Sequence, residues 1–311
     1  MSRPLRIEYP GAFYHVTSRG NERKEIFKSA TDREQFLFYI AAACARYGAI
    51  IHAYCLMTNH YHLMIETPFG NLSLIMKYIN SSYTTYFNIK RKRAGHLMQG
   101  RYKAILIEAD SYAAELSRYM HLNPVRARMV KSPENYIWSS YRLYIEGSEP
   151  TWLTTRFILG YFGTDDSESR LNYRRYINEK IAGEYSSPLM GVVGSAILGS
   201  DDFVREVREK ELDCRPADRD LPALRELKER PRPEMISRVA RKIFTSNSRL
   251  ARLAGIYLSH RYSGAKLKEI GDMFKLSDSG VTQASRRFEA AIETDGQLEG
   301  KIKEIKKILD L

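Results

Sequence analysis

Apolar, strand-like runs at residues 12–18 (Ala-Phe-Tyr-His-Val-Thr-Ser), 49–57 and 60–67 predict three strands, on which side chains alternate faces with a period of two. The period then lengthens. Thr31-Asp32 reads as the cap of a helix through Tyr47, with Phe36, Leu37 and Ile40 on its buried side, and Gly48 stops it. After the turn Pro68-Phe69-Gly70, Asn71 opens a helix to about Arg93, with Leu72, Ile75, Met76, Ile79, Tyr83 and Tyr86 at helical spacing. Gly100 precedes a fourth strand, 101–108, and a further helix opens at Asp110-Ser111 and closes at Asn123-Pro124. Strand, helix, strand, strand, helix, strand is the order of an α+β fold, a ferredoxin-like antiparallel sheet with helices on one face. The helix carrying Tyr119 is an addition to it.

Beyond about 146 the pattern weakens. Residues 150–214 read as mostly helical, and Arg215 to Pro233, with its four prolines and mixed charge, reads as a linker. Farther on, a short amphipathic helix around Lys266–Phe274 puts Leu267, Ile270 and Phe274 inward. Lys275-Leu276-Ser277 turns the chain, and Asp278-Ser279 opens a second helix to about Ala290. That cadence is a helix-turn-helix, whose second helix enters the major groove of DNA and here would present Ser279, Thr282, Gln283, Arg286 and Arg287. Three parts follow: 1–145, a middle region 146–235, and 236–311.

Charge sharpens the division. The chain of 311 residues has a net charge of +12, and the excess is local: residues 1–145 hold 20 Lys+Arg against 10 Asp+Glu, the remainder 29 against 27. A basic, tyrosine-rich block suits the phosphates and stacked bases of a nucleic acid. Cys44, Cys55 and Cys214 show neither pairing nor metal spacing, as expected of buried thiols in a reducing cytoplasm. No apolar run is long enough for a membrane span, so an intracellular, nucleoid-associated protein is expected.

The chemistry concentrates in Leu56-Met57-Thr58-Asn59-His60-Tyr61-His62-Leu63-Met64-Ile65-Glu66. On a strand, His60 and His62 project from one side while Tyr61, Leu63 and Ile65 point to the core. Two imidazoles side by side make most of a divalent-metal site. An isolated His-x-His is more often a pair on a solvated face, and a second segment, Arg118-Tyr119-Met120-His121-Leu122-Asn123-Pro124-Val125-Arg126, shifts that balance. Tyr119 and Asn123 lie one helical turn apart, on a similar face. A tyrosine beside a metal-held phosphate has the chemistry of a nucleophile.

With Val16-Thr17-Ser18-Arg19-Gly20-Asn21-Glu22-Arg23, Gln99-Gly100-Arg101-Tyr102-Lys103 and Trp138-Ser139-Ser140-Tyr141, these motifs make the first 145 residues resemble the single-tyrosine His-hydrophobe-His transposases. The branch is the IS200-like one associated with repetitive extragenic palindromes. One departure is Thr58, where the family pattern has proline. The resemblance implies a strand-cleaving and rejoining enzyme acting on single-stranded, hairpin or palindromic DNA. It implies Tyr119 as nucleophile with a 5′-phosphotyrosine intermediate, Mg²⁺ or Mn²⁺ as cofactor, and docking of the tyrosine helix near the histidines. Imidazole alone holds Mg²⁺ poorly, so Asn123 is the expected third ligand, with Glu66 a weaker alternative. Arg19, Asn21, Arg23, Arg101, Lys103 and Arg126 are the expected DNA contacts of this part. The region from about 236 resembles the DNA-binding domain of the bacterial chromosomal replication initiator. Two other readings stay open: a replication initiator or relaxase of the same superfamily, and a non-catalytic or domesticated DNA-binding regulator. Monomer and dimer stay open too.

Overall fold

Ala12–Arg19 (β1), Ile50–Leu56 (β2), His60–Thr67 (β3) and Lys103–Ile107 (β4) pair in the order β2-β3-β1-β4 in the computed structural model, all antiparallel. The structure describes residues 6–181, 185–212, 231–245, 247–263, 265–309 and 311, so Cys214 and most of the expected linker lie outside the described residues. A fifth strand, Ile197–Leu198 (β5), adds to β4 in parallel. It departs from the expected purely antiparallel sheet and from a mostly helical 150–214.

Side-chain alternation gives the sheet two apolar faces. Tyr14, Val16, Tyr61, Leu63, Ile65 and Leu106 form one core with Phe36 and Ile40 of helix Ala30–Tyr47 (α1) and Ile75, Ile79 and Tyr83 of helix Leu72–Lys90 (α2). On the opposite face Ala53, Met64 and Ile107 pack with Ala113, Leu116 and Met120 of helix Ala109–Arg126 (α3). Each of the larger side chains among them, Met64, Ile107, Leu116 and Met120, contributes about 1.5–3 kcal/mol when taken from water, which is what seats the third helix.

Several helix ends differ from the sequence reading; α3, for one, starts at Ala109 with Glu108 at its cap, ahead of the expected Asp110-Ser111. Ser29, not Thr31-Asp32, caps α1: its Oγ accepts the Asp32 N–H at 3.2 Å. Asp32 is inside the first turn, where its buried carboxylate accepts from Lys90 Nζ at 2.8 Å, Arg91 Nη2 at 2.5 Å and the Lys28 N–H at 2.9 Å. Burial pushes this carboxyl's pKa up, but those donors outweigh it and hold it below the ordinary range. A further difference is that α3 does not stop before Pro124. It runs on to Arg126, because a proline in the last turn deprives only one carbonyl of its helical donor, and Asn123 C=O still accepts the Ala127 N–H at 2.9 Å.

Helices Tyr141–Glu146 (α4), Arg156–Leu159 (α5) and Asp166–Asn178 (α6) cover the outer side of α3. Their junction holds a buried polar network: His121 Nδ1 lies 2.7 Å from Tyr173 Oη, His121 Nε2 lies 2.8 Å from Ser140 Oγ, and Tyr173 Oη donates to Ser117 Oγ at 2.9 Å. Burial lowers the His121 pKa to about 3, so the imidazole is neutral at physiological pH. Helix Asp201–Val207 (α7), followed by the π-helical segment Arg208–Leu212, ends the described part of this unit.

The chain divides into two compact units, Met1–Leu227 and Lys228–Leu311. The second holds Pro233–Ile243 (α8), Ser248–Leu258 (α9), Leu267–Phe274 (α10), Asp278–Thr294 (α11) and Gly296–Ile308 (α12). Ile236, Leu258, Phe288 and Ile302 share one core, while Ile256, Ile270, Phe274 and Val281 share another. Between α10 and α11 the chain turns through Lys275 at φ +52°, and Gly271 is needed there, since a Cβ would lie 2.6 Å from the Leu276 carbonyl oxygen. Ser277 caps α11 by accepting the Gly280 N–H at 3.2 Å, one residue before the expected Asp278-Ser279, and the helix outruns Ala290 to reach Thr294. Among the described residues no helix is long and apolar enough to cross a membrane.

Candidate active site

Register decides what stands beside the histidines. In the β1–β3 pairing His60 is opposite Arg19, His62 opposite Thr17, and Met64 opposite His15. Directly opposed residues share a face, so Arg19, Thr17 and His15 line up beside His60 and His62 on the side that α3 covers. The His60 and His62 rings are 5.0 Å apart. Met120 is buried with Met64, and its neighbour Tyr119 is thereby set against the histidines. The Tyr119 ring stands edge-on to His62 at 5.9 Å and to His15 at 6.2 Å between centroids.

His15 is the residue that sequence reasoning missed. Its ring stacks on His62 with planes 6° apart, and its Nε2 lies 2.9 Å from His62 Nδ1. A proton shared there is held between the two rings, leaving His62 Nε2 buried with no hydrogen-bond partner. His60 Nδ1 lies 2.7 Å from Asn59 Oδ1, so its other nitrogen is likewise the one left for a ligand. Burial lowers the pKa of His62 far below the ordinary value, helped by His15 and His60; burial and then Arg19 lower that of His60. Both imidazoles are therefore neutral, the ligating form.

These donors fit a divalent cation in part. Among the described residues no three His, Cys, Asp or Glu side chains are grouped to hold one ion, so two imidazoles need oxygen donors from elsewhere. The Glu66 carboxylate is engaged by His52 Nε2 at 3.0 Å, which takes it away from the histidine pair. Asn123, one turn after Tyr119, has a buried Nδ2 with no hydrogen-bond partner; a cation would need its Oδ1, since the amide NH₂ is a donor and does not ligate.

Of the expected DNA contacts, Arg19 and Lys103 lie on the histidine face, Lys103 opposite Thr17, and both are exposed. Arg19 is also braced by Gln99 Oε1 at 2.7 Å. Arg126 sits over the Tyr119 ring at 5.8 Å and the Tyr185 ring at 3.6 Å. Asn21 and Arg23 are exposed in a short 3₁₀ turn, whose Arg23 carbonyl accepts Asn59 Nδ2 at 3.0 Å. Arg101 is exposed on the loop before β4. Gln283, Arg286 and Arg287 are exposed and Thr282 half-buried on α11, in the other unit.

Residues 9–123 match the family described as IS200-like transposases. No curated protein matches the chain. Among solved structures, it is similar to one described as the REP-associated tyrosine transposase bound to a REP hairpin, at 18% identity and a TM-score of 0.43, covering 50% of this chain and 92% of that one.

Proposed function

We propose that this chain, whose residues 9–123 match the IS200-like transposases, cleaves and rejoins single-stranded DNA at hairpins or palindromes, with Tyr119 as nucleophile. The observation that carries the reading is the Tyr119 ring against His62, whose Nε2 is buried and without a partner. His60, His62 and the Asn123 amide would hold Mg²⁺ or Mn²⁺, which when bound draws charge from the phosphate oxygens. Tyr119 Oη then bonds to phosphorus and gives up its proton, and the P–O3′ bond breaks. The departing 3′ oxygen takes up a proton. A 5′-phosphotyrosyl ester and a free 3′-hydroxyl result, and because the ester energy is kept, a 3′-hydroxyl can reverse the step. Arg19, Lys103 and Arg126 supply positive charge on the same face.

The test is covalent trapping. Labelled hairpin DNA should migrate with the protein on a denaturing gel in Mn²⁺ or Mg²⁺ and not in chelator. A protein that binds the hairpin but never forms the adduct is a DNA-binding regulator instead.

The second unit would read duplex DNA through α11, with Gln283, Arg286 and Arg287 toward the major groove. Truncation near Arg232 should leave hairpin cleavage within about threefold. It should weaken binding to hairpins with a duplex arm and flatten the salt dependence of that binding. A folded truncation that no longer cleaves the bare hairpin overturns this division.

A further inference from the structure

We infer that Tyr185 is a positioning residue for the cleavage reaction: its ring holds the Arg126 guanidinium beside Tyr119, where that guanidinium grips oxygens of the phosphate under attack. The inference rests on the single-strand transferase reading and deepens it. Tyr185 belongs to the middle region, beyond residue 123 where the family match ends, so a stretch with no assigned chemistry acquires a part in the reaction. On α3, Tyr119, Asn123 and Arg126 follow one another at intervals of four and three residues, so nucleophile, candidate metal donor and cation share one face of the helix.

Two rings bracket the cation. The Arg126 guanidinium carbon lies 3.6 Å from the centre of the Tyr185 ring and 5.8 Å from that of Tyr119. The first is a close stack and the second is at the outer limit of cation–ring attraction, so Tyr185, not Tyr119, fixes where the guanidinium sits. Tyr185 is fixed in turn. Its hydroxyl donates to the Glu115 C=O at 3.3 Å, and the Arg118 guanidinium lies 5.5 Å from its ring. Four residues on, Leu189 packs against the α3 core and ties the segment down. Arg118 is itself buried, 3.8 Å over the Tyr176 ring, with its Nη1 donating to the Tyr176 C=O at 3.3 Å.

What separates the two arginines is acid. The Glu115 carboxylate is taken by Arg118 and by the Tyr176 hydroxyl, which donates at 2.6 Å. Arg126 is exposed and forms no ion pair or hydrogen bond among the described residues. Stacking occupies the flat face of a guanidinium and leaves the N–H groups around its rim free. A rigid, uncompensated fork of donors matches two oxygens of a phosphodiester. Its place beside Tyr119 selects which phosphate. As the phenol oxygen bonds to phosphorus, charge grows on the non-bridging oxygens, and donors already in position act on it most strongly. Without the ring, a long and freely rotating side chain on the last turn of a helix would spend little time there.

The experiment follows covalent trapping of a labelled hairpin by the full-length protein at saturating DNA and Mn²⁺. Arg126→Ala should slow trapping about a hundredfold, the usual cost of losing a donor to developing charge. Tyr185→Ala should slow it about tenfold through misplacement of that donor, with hairpin affinity in chelator unchanged. Tyr185→Phe keeps the ring and should recover to within about threefold of the wild type, a rescue that a role for the hydroxyl bond to Glu115 would not allow. The Tyr185→Ala, Arg126→Ala protein should be no slower than Arg126→Ala alone, because the ring then has no guanidinium to hold; independent structural damage would multiply the two losses.

A second measurement needs no chemistry. In wild-type protein with isotope-labelled arginine, kept in chelator, the Nε–H resonance of Arg126 is identified by its absence from Arg126→Lys. It should carry the ring-current shift of Tyr185, move when hairpin DNA is added, and revert to that of a free arginine in Tyr185→Ala but not in Tyr185→Phe. A Tyr185→Ala protein that traps as fast as the wild type overturns the proposal. So does a Tyr185→Phe protein no faster than Tyr185→Ala, a multiplied loss in the double variant, or an Arg126 resonance indifferent to ring and hairpin alike. If the wild type traps no adduct with any DNA, the nucleophile assignment falls by that result alone, and the resonance decides whether Tyr185 presents Arg126 to DNA.

Discussion

A Tyr119→Phe protein will bind hairpin DNA like the wild type and form no covalent adduct with it, a fall of at least about a thousandfold in trapped product. Loss of one hydroxyl leaves the phenyl ring, so the edge contacts to His62 and His15 and the seat of α3 on Met64 persist. Binding and melting temperature should therefore hold while chemistry disappears. Tyr112, on the same helix and also partly buried against the α3 core, is the internal control. Its phenylalanine variant should trap adduct normally. If Tyr119→Phe still gives an adduct, peptide mapping of the DNA-linked residue decides the nucleophile.

Replacing both His60 and His62 by alanine should remove metal-dependent cleavage, lowering the rate at saturating Mn²⁺ by about a hundredfold or more. Metal affinity, read from the spin-resonance signal of free Mn²⁺, should fall in parallel. Full activity in that double variant would exclude the site. The intermediate case is His15→Phe, which keeps the stack but deletes the nitrogen facing His62 Nδ1. It should weaken Mn²⁺ binding about ten- to a hundredfold, the usual cost of losing a partner that orients a ligating histidine. The pH profile carries a sign. The His60 and His62 pKa values are both lowered, so the neutral, ligating form outlasts that of a free imidazole as pH falls. The acid limb of the cleavage rate should then lie below the ordinary histidine value of about 6.5, not at it. A limb at or above that value would mean that the histidines are more solvated than their burial indicates.

The strands and the shared face of His60 and His62 were legible because a period of two is a local property of a short segment. The two helices flanking Lys275-Leu276-Ser277 were legible from their own local 3.6-residue spacing, and so were the buried positions of α1 and α2. His15 was not. It occupies a predicted strand, but its significance comes from standing opposite Met64 and stacking on His62, a pairing across 47 residues that no local pattern encodes. The approach of Tyr119 to the histidines was likewise supplied by resemblance, since helical spacing says which face is apolar and not which surface receives it. Two boundaries were misread where local signals competed. Thr31-Asp32 has the residue types of a cap, yet Ser29 captures the Asp32 N–H while Asp32 is drawn to Lys90 and Arg91. Asn123-Pro124 has the form of a helix stop, yet a proline so near the end costs too little to force one.

The bond between His121 and Tyr173 bears on how such a gene can be cut and joined. The stretch carrying the family resemblance ends at 123, and the eye would divide the protein soon after. The helix bearing Tyr119 is nevertheless clasped from behind by Tyr173 and Ser140, both encoded downstream of that point. A recombination event that carried off only the recognisable portion would take Tyr119, the proposed nucleophile, and leave its backing behind, exposing the buried His121 imidazole and the Ser117 hydroxyl. The heritable module is accordingly longer than the recognisable one, and a graft of this chemistry onto another protein should carry the sequence through α6 at least.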